Sequence, residues 1–272
     1  MARILFIRHG QSEGNVDIDR YAKMGDYAVG LTDTGWRQAV AAGRFLQGYF
    51  FGEEVQKATD MGRVRQARMW PLVYVSSYIR TKQTLSGVIH GLTSTDLGDD
   101  NLQPATGPRV IEEPRLIEKF FGATLRLNKA LKPLDWRIAG QLWQMAQEVF
   151  HKDKFTTRNM LGDSRKDVYE AVCDFIDGPM DKALAAGEEE IIIVSHGAVG
   201  QEFIRKMMNL PLDATIPDLG NCDILEFTGA PGNWQMRKLY DGPAMRPSGD
   251  SLIGHLKPFT LADLPPVPEA FR

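Results

Sequence analysis

Cysteine is nearly absent. Cys173 and Cys222 are the only two in 272 residues, and they form no CxxC pair. That fits buried structural thiols in a reducing compartment better than a disulfide-stapled scaffold or a zinc site. Long apolar runs are also missing. Ile4-Leu5-Phe6-Ile7 is cut short by Arg8-His9, too soon for the core of a secretion signal. No stretch approaches the ~18 apolar residues that span a bilayer. The expectation is a cytoplasmic protein with no membrane partner. Charge of one sign is not in excess: 32 Lys and Arg face 35 Asp and Glu, a net of −3. The broad basic field of a nucleic-acid binder is lacking, so no nucleic-acid partner is expected. There is no GxxxxGK[ST], and no GxGxxG follows a strand. Nucleoside-triphosphate and dinucleotide binding therefore have no support. Internal repeats and low-complexity blocks are absent too.

What remains is ordinary globular composition, 43% apolar and 25% charged, enough for one large domain or two small ones. Three short runs read as buried parallel strands: Arg3 to Ile7, Leu72 to Ser76, and Ile191 to Ser195. Each leads into a helical pattern, over Thr34 to Leu46, Arg80 to Ile89, and Gly197 to Met208. A fourth helix is expected over Asp167 to Leu184, and a late hairpin over Leu225 to Phe227 and Trp234 to Leu239. Strands alternating with helices imply an α/β fold. The expected form is a three-layer α/β/α sandwich with a mostly parallel central sheet and a helical cap insertion. Residues 1–240 are expected to form that domain. The cap falls at about 123–162, around Trp136, Trp143, Met145 and Phe150. Residues 51–69 read as a partly helical insertion. The tail, 241–272, carries six of the 15 prolines and reads as extended.

Chemistry concentrates at the ends of the three strands. The first delivers Arg8-His9-Gly10, followed by Ser12 and Asn15. The third delivers Ser195-His196-Gly197. The second leads to Arg80 at a helix N-terminus, where unpaired N–H groups attract anions. In open α/β sheets ligands bind at the carboxyl edge of the strands. A guanidinium offers a planar fork of donors suited to phosphate, and a histidine can act as a nucleophile at neutral pH. Arg8, Arg80, His9 and His196 are together expected to form a compact cationic pocket for a phosphoryl group.

These residues carry a resemblance. Arg8-His9-Gly10 with Ser12 and Asn15 resembles the signature of the histidine phosphatase superfamily, the phosphoglycerate mutase-like fold. Leu31-Thr32-Asp33-Thr34-Gly35 with Gln38-Ala39 is similar to its next motif, and Ser76 to Arg80 with Gln83-Thr84 to its third. Leu116 to Gly122 resembles the segment holding the family's catalytic acid. Gly162-Asp163-Ser164 with Asp167-Val168-Tyr169 is similar to a pattern best developed in the broad-range acid phosphatase branch. Ser195-His196-Gly197 and Asn221-Cys222 complete the order.

The resemblance implies a phosphatase in which His9 attacks phosphorus and becomes a phosphohistidine. It implies that Arg8, Arg80 and His196 hold the non-bridging oxygens, that Ser12 and Asn15 add hydrogen bonds, and that Glu118 serves as general acid and base. Glu112 and Glu113 are the alternative carriers of the acid role. The implied partner is a small phosphorylated substrate, with no cofactor and no metal. Dimers are common in the family, and the proline-rich tail could serve a homodimer. Two other readings stay open: a phosphoglycerate mutase, and a catalytically idle relative that binds a phospho-ligand. The stretch after Gly122 lacks the Arg-Tyr-Gly and paired-arginine pattern of mutases. Asp163 and Ser164 are expected to cap the helix that follows them.

Overall fold

The computed structural model describes residues 1–61, 70–93, 108–120, 155–158, 162–248 and 257–258. The three expected strands form: β1 (Ala2–Arg8), β2 (Leu72–Val75) and β4 (Glu190–Ser195). A further strand, β3 (Arg109–Glu112), has no counterpart in the sequence reading because all four of its residues are exposed. A two-residue β5 (Ala214–Thr215) precedes the hairpin of β6 (Ile224–Ala230) and β7 (Asn233–Asp241). Two short strands, β8 (Arg246–Pro247) and β9 (Lys257–Pro258), lie in the tail. The main sheet runs β3-β2-β4-β1-β6-β7-β8. β3, β2, β4 and β1 are parallel, and β6 joins β1 antiparallel. β9 pairs with β5 instead.

Alternation along the strands builds the layers. Ile4, Phe6, Leu72, Tyr74, Ile191 and Ile193 pack on one face with Val172, Phe175, Val199 and Phe203. Leu5, Ile7, Val73, Val75, Ile192 and Val194 pack on the other with Ala39, Ala42, Leu85 and Val88. A strand buried on both faces reads as an unbroken apolar run, which is why these three were legible. The first face is covered by α5 (Arg165–Phe175) and α7 (Gly197–Met207), the second by α3 (Asp33–Met61) and α4 (Ile79–Thr93). Small helices α1 (Glu13–Val16) and α2 (Asp19–Met24) follow β1. The result is the expected α/β/α sandwich.

α3 and α4 approach closely through glycine. A Cβ on Gly91 would lie 2.1 Å from the Val40 carbonyl oxygen, and one on Gly43 2.2 Å from that of Val88. The helix expected over 167–184 is interrupted. α5 passes into a π-helical turn at Ile176–Met180, containing Pro179, before α6 (Asp181–Ala185). Proline lacks the N–H that the α ladder needs. The helix expected over Thr34 to Leu46 runs on to Met61, so the front of the 51–69 insertion continues α3. Residues 62–69, nearly all of the expected cap including Trp136, Trp143, Met145 and Phe150, and most of the tail lie outside the described residues. No helix among the described residues is long and apolar enough to cross a membrane.

Candidate active site

Strand order brings the chemistry together. β4 lies between β2 and β1, with Arg8 opposite Ser195 and Val75 opposite Val194. The ladder continues one step past the strands: His9 N donates to Ser195 O (2.9 Å) and Ser76 N to Val194 O (3.0 Å). His9, His196 and Ser76 therefore emerge side by side from three adjacent tips. The His9 and His196 rings meet edge to face, with centroids 5.2 Å apart.

His9 is 2% exposed. Its Nδ1 lies 2.7 Å from the Gly10 carbonyl oxygen. A carbonyl can only accept, so Nδ1 carries the proton and Nε2 keeps its lone pair. Burial holds the His9 pKa well below the usual histidine value, helped by the positive charges of Arg80 and Arg8. The ring is thus neutral at pH 7, with a free nucleophilic nitrogen. His196 is held low by the same causes, burial first. Gly10 permits a tight turn here: a Cβ on it would lie 2.5 Å from the Gly35 carbonyl oxygen.

Arg80 is 1% exposed. Its Nη1 donates to the Asp26 carbonyl oxygen (2.7 Å) and pairs with the Asp26 carboxylate (2.8 Å). Its guanidinium lies over the rings of Tyr78 and Tyr21, at 4.9 and 5.6 Å. Arg8 donates from Nη1 to the Leu219 carbonyl oxygen. The Nε groups of both arginines are buried without a hydrogen-bond partner among the described residues, and so is Nδ1 of His196. An unmet buried donor costs about 1–3 kcal/mol. Such groups gathered around one imidazole describe a cradle for an oxyanion.

Glu118 reaches the same place from the other side. The chain leaving β3 is pinned by fully buried Leu116, whose carbonyl oxygen accepts from Ser195 Oγ (2.8 Å). On the far side Phe120 exchanges two bonds with Asp163: its N–H donates to Oδ2 (2.8 Å) and its carbonyl accepts from Asp163 N (2.7 Å). One Glu118 carboxylate oxygen and one ring nitrogen each of His9 and His196 lie within 4.8 Å of one another. Oε1 of Glu118 accepts from Lys119 N (2.9 Å). Desolvation raises the Glu118 pKa, against the opposing pull of Arg80. Such a carboxyl can hold a proton for a leaving group. The alternative acids are engaged elsewhere, Glu113 with Arg115 (2.7 Å) and Glu112 with Lys82 (2.8 Å).

Two imidazoles and a carboxylate also make a metal-capable donor set. The field of Arg8 and Arg80 opposes a divalent cation there, as it opposes protonation of both histidines.

Ser12 and Asn15 sit in the turn above His9, and their observed bonds shape that turn. Ser12 caps α1 in a reciprocal capping box with Asn15. Asn15 Oδ1 also accepts from Asn221 Nδ2 (3.1 Å), which donates to the His9 carbonyl oxygen as well (3.1 Å). Ser164 caps α5 as expected, with Asp167 closing the box. Asp163 does not cap that helix. Its carboxylate holds Phe120, and so the Glu118 segment.

Asp26, Tyr78 and Asn221 make contacts with the site residues that the sequence does not predict. Tyr78 was within reach, since it stands between Ser76 and Arg80 in the strand-end motif. Asp26 left no local signal, because its partner is 54 residues on.

The profile of the histidine phosphatase superfamily (branch 1) matches residues 4–242. A phosphoglycerate mutase-like protein of Arabidopsis thaliana is 26% identical over 243 residues, covering 85% of this chain and 76% of its own. The α-ribazole phosphatase of Shigella flexneri superposes with a TM-score of 0.56 at 20% identity, over 87% of this chain and 95% of that one. A mycobacterial glucosyl-3-phosphoglycerate phosphatase gives 0.55 at 18% identity, over 87% and 97%.

Proposed function

The chain belongs to the histidine phosphatase superfamily, branch 1, and we propose that it is a metal-independent phosphatase that hydrolyses phosphomonoesters of small metabolites. One observation carries the reading: a neutral His9 with its Nε2 lone pair free stands beside two buried guanidinium Nε groups that have no partner among the described residues, within reach of Glu118.

The chemistry follows from those positions. Nε2 of His9 attacks phosphorus and the bond to the ester oxygen breaks. Glu118 gives its proton to that departing oxygen, so an alcohol leaves rather than an alkoxide. The arginine N–H groups meet the charge on the non-bridging oxygens, the part that a metal plays in other phosphoryl transfers. Glu118, now a carboxylate, takes a proton from the water that attacks the phosphohistidine. Inorganic phosphate departs, and His9 and Glu118 return to their starting states. Ser12 and Asn15 support the turn that carries His9. Sugar phosphates, nucleotides and phospho-acids are the proposed substrate classes.

The test is His9→Ala assayed on a generic aryl phosphate in the presence of EDTA. The wild type releases phosphate and the variant does not, while the fold persists by circular dichroism. Activity retained by the variant defeats the mechanism. The Arabidopsis relative's name favours a second reading, phosphoglycerate mutase. Measuring phosphate release against interconversion of 3- and 2-phosphoglycerate separates the two.

A further inference from the structure

We infer that Ser76 is a positioning residue: its hydroxyl donates to Nε2 of His196, fixes that ring as the Nδ1–H tautomer, and so presents an N–H rather than a lone pair to the phosphoryl oxygens. What the N–H meets rests on the proposed phosphatase reading. The tautomer itself rests on the geometry alone.

Ser76 Oγ lies 2.8 Å from Nε2 of His196, and both side chains are fully buried. Two arrangements fit that distance. Either Nε2 carries a proton and donates to the serine, or the serine donates to a bare Nε2. The serine's other bond is a long one, 3.5 Å, accepted from Tyr78 N. That uses a lone pair and leaves the hydroxyl proton without a destination. Among the described residues Nε2 is the acceptor within its reach. Were Nε2 the donor, the serine proton and the Nδ1 lone pair would both be stranded in the interior. With the serine as donor only Nδ1–H is left over, and buried donors are what a phosphoryl pocket needs.

Placement of this one proton matters because the ring is neutral. Arg80, Arg8 and His9 surround it, and burial already disfavours the imidazolium. A neutral imidazole offers one donor and one acceptor. The wrong tautomer would set a lone pair against phosphoryl oxygens. The ring cannot readily turn over, which would put a carbon, Cε1, in place of Nε2 against the serine. Tyr78 packs against it at 5.1 Å and 70°, and His9 at 5.2 Å and 65°.

The test is the protonation pattern of His196 in the full-length protein with ¹⁵N-labelled histidine, read from long-range proton–nitrogen correlations at neutral pH. The His196 signal is identified by its loss in His196→Gln. Wild type should show a protonated Nδ1 and a bare Nε2. A protonated Nε2, or protons on both nitrogens, overturns the inference whatever the enzyme's activity. In Ser76→Ala the Nε2–H form should appear, and inhibition by inorganic phosphate should weaken roughly tenfold or more, part of the loss seen when an oxyanion donor is removed. Ser76→Thr, which keeps the hydroxyl, should restore both. A Ser76→Ala protein that keeps the wild-type pattern and phosphate affinity refutes the role of Ser76. Should Ser76→Ala fail to fold, the wild-type and Ser76→Thr spectra still decide. Failure of the phosphatase reading would show separately, as an active His9→Ala enzyme.

Discussion

Glu118→Gln isolates the proton transfer from the rest of the pocket. The amide keeps the volume of the carboxyl, and its oxygen can still accept from Lys119 N, as Oε1 does at 2.9 Å. Only the transferable proton is lost. General acid catalysis contributes about 10²–10⁴-fold, so hydrolysis of an alkyl phosphate should fall by that order. An activated aryl phosphate, whose phenolate leaves without help, should still phosphorylate His9 at close to the normal rate. Turnover of that ester should nevertheless slow, because water attack on the phosphohistidine lacks its base. Stopped-flow measurement should then show a burst of phenolate close to one equivalent of enzyme. The pH profile adds a sign. In the proposed mechanism the active form has Glu118 protonated and His9 neutral. Burial raises the Glu118 pKa and depresses that of His9. For alkyl esters kcat/KM should therefore decline as pH rises through the Glu118 pKa, while the histidine limb lies far to the acid side. The variant should lose the Glu118 limb. Equal loss in the rate of His9 phosphorylation by both ester classes, or an unchanged alkaline limb, refutes the assignment of Glu118.

Two further perturbations test the frame around the pocket. Asp26→Ala strips buried Arg80 of its counter-charge, which should destabilise the fold by about 3–5 kcal/mol. Saturating inorganic phosphate should then raise the melting temperature of the variant more than that of the wild type, since the anion replaces the missing carboxylate; equal shifts would show that Arg80 does not meet the ligand. Gly91→Ala drives a Cβ toward the Val40 carbonyl oxygen, 2.1 Å away without relaxation. The α3–α4 contact must open, at about 1–3 kcal/mol, visible in urea unfolding. An unchanged midpoint would mean that the two helices are not held at that distance.

The sequence showed what burial writes into it. β1, β2 and β4 are central strands covered on both faces, so their apolar runs stood out, and the residues at their ends named most of the pocket. β3 did not stand out, because an exposed edge strand carries no burial pattern. The π-helical turn at 176–180 was signalled only by Gly178-Pro179, too weak a mark to break an amphipathic pattern. Asp26 was illegible for another reason. Its significance lies wholly in Arg80, and a pairing made by a loop folding back over a strand tip has no local trace. Asp163 stands beside Ser164, a position that predicts a cap, but its carboxylate meets Phe120, 43 residues earlier, a pairing with no mark in the local sequence.

The central claim is tested most directly by trapping. Enzyme mixed with an activated aryl phosphate, quenched in alkali and digested, should yield a peptide carrying an acid-labile phosphoryl group on Nε2 of His9. Turnover with no phosphopeptide, or with the phosphoryl group on His196 or on Nδ1 of His9, contradicts the account.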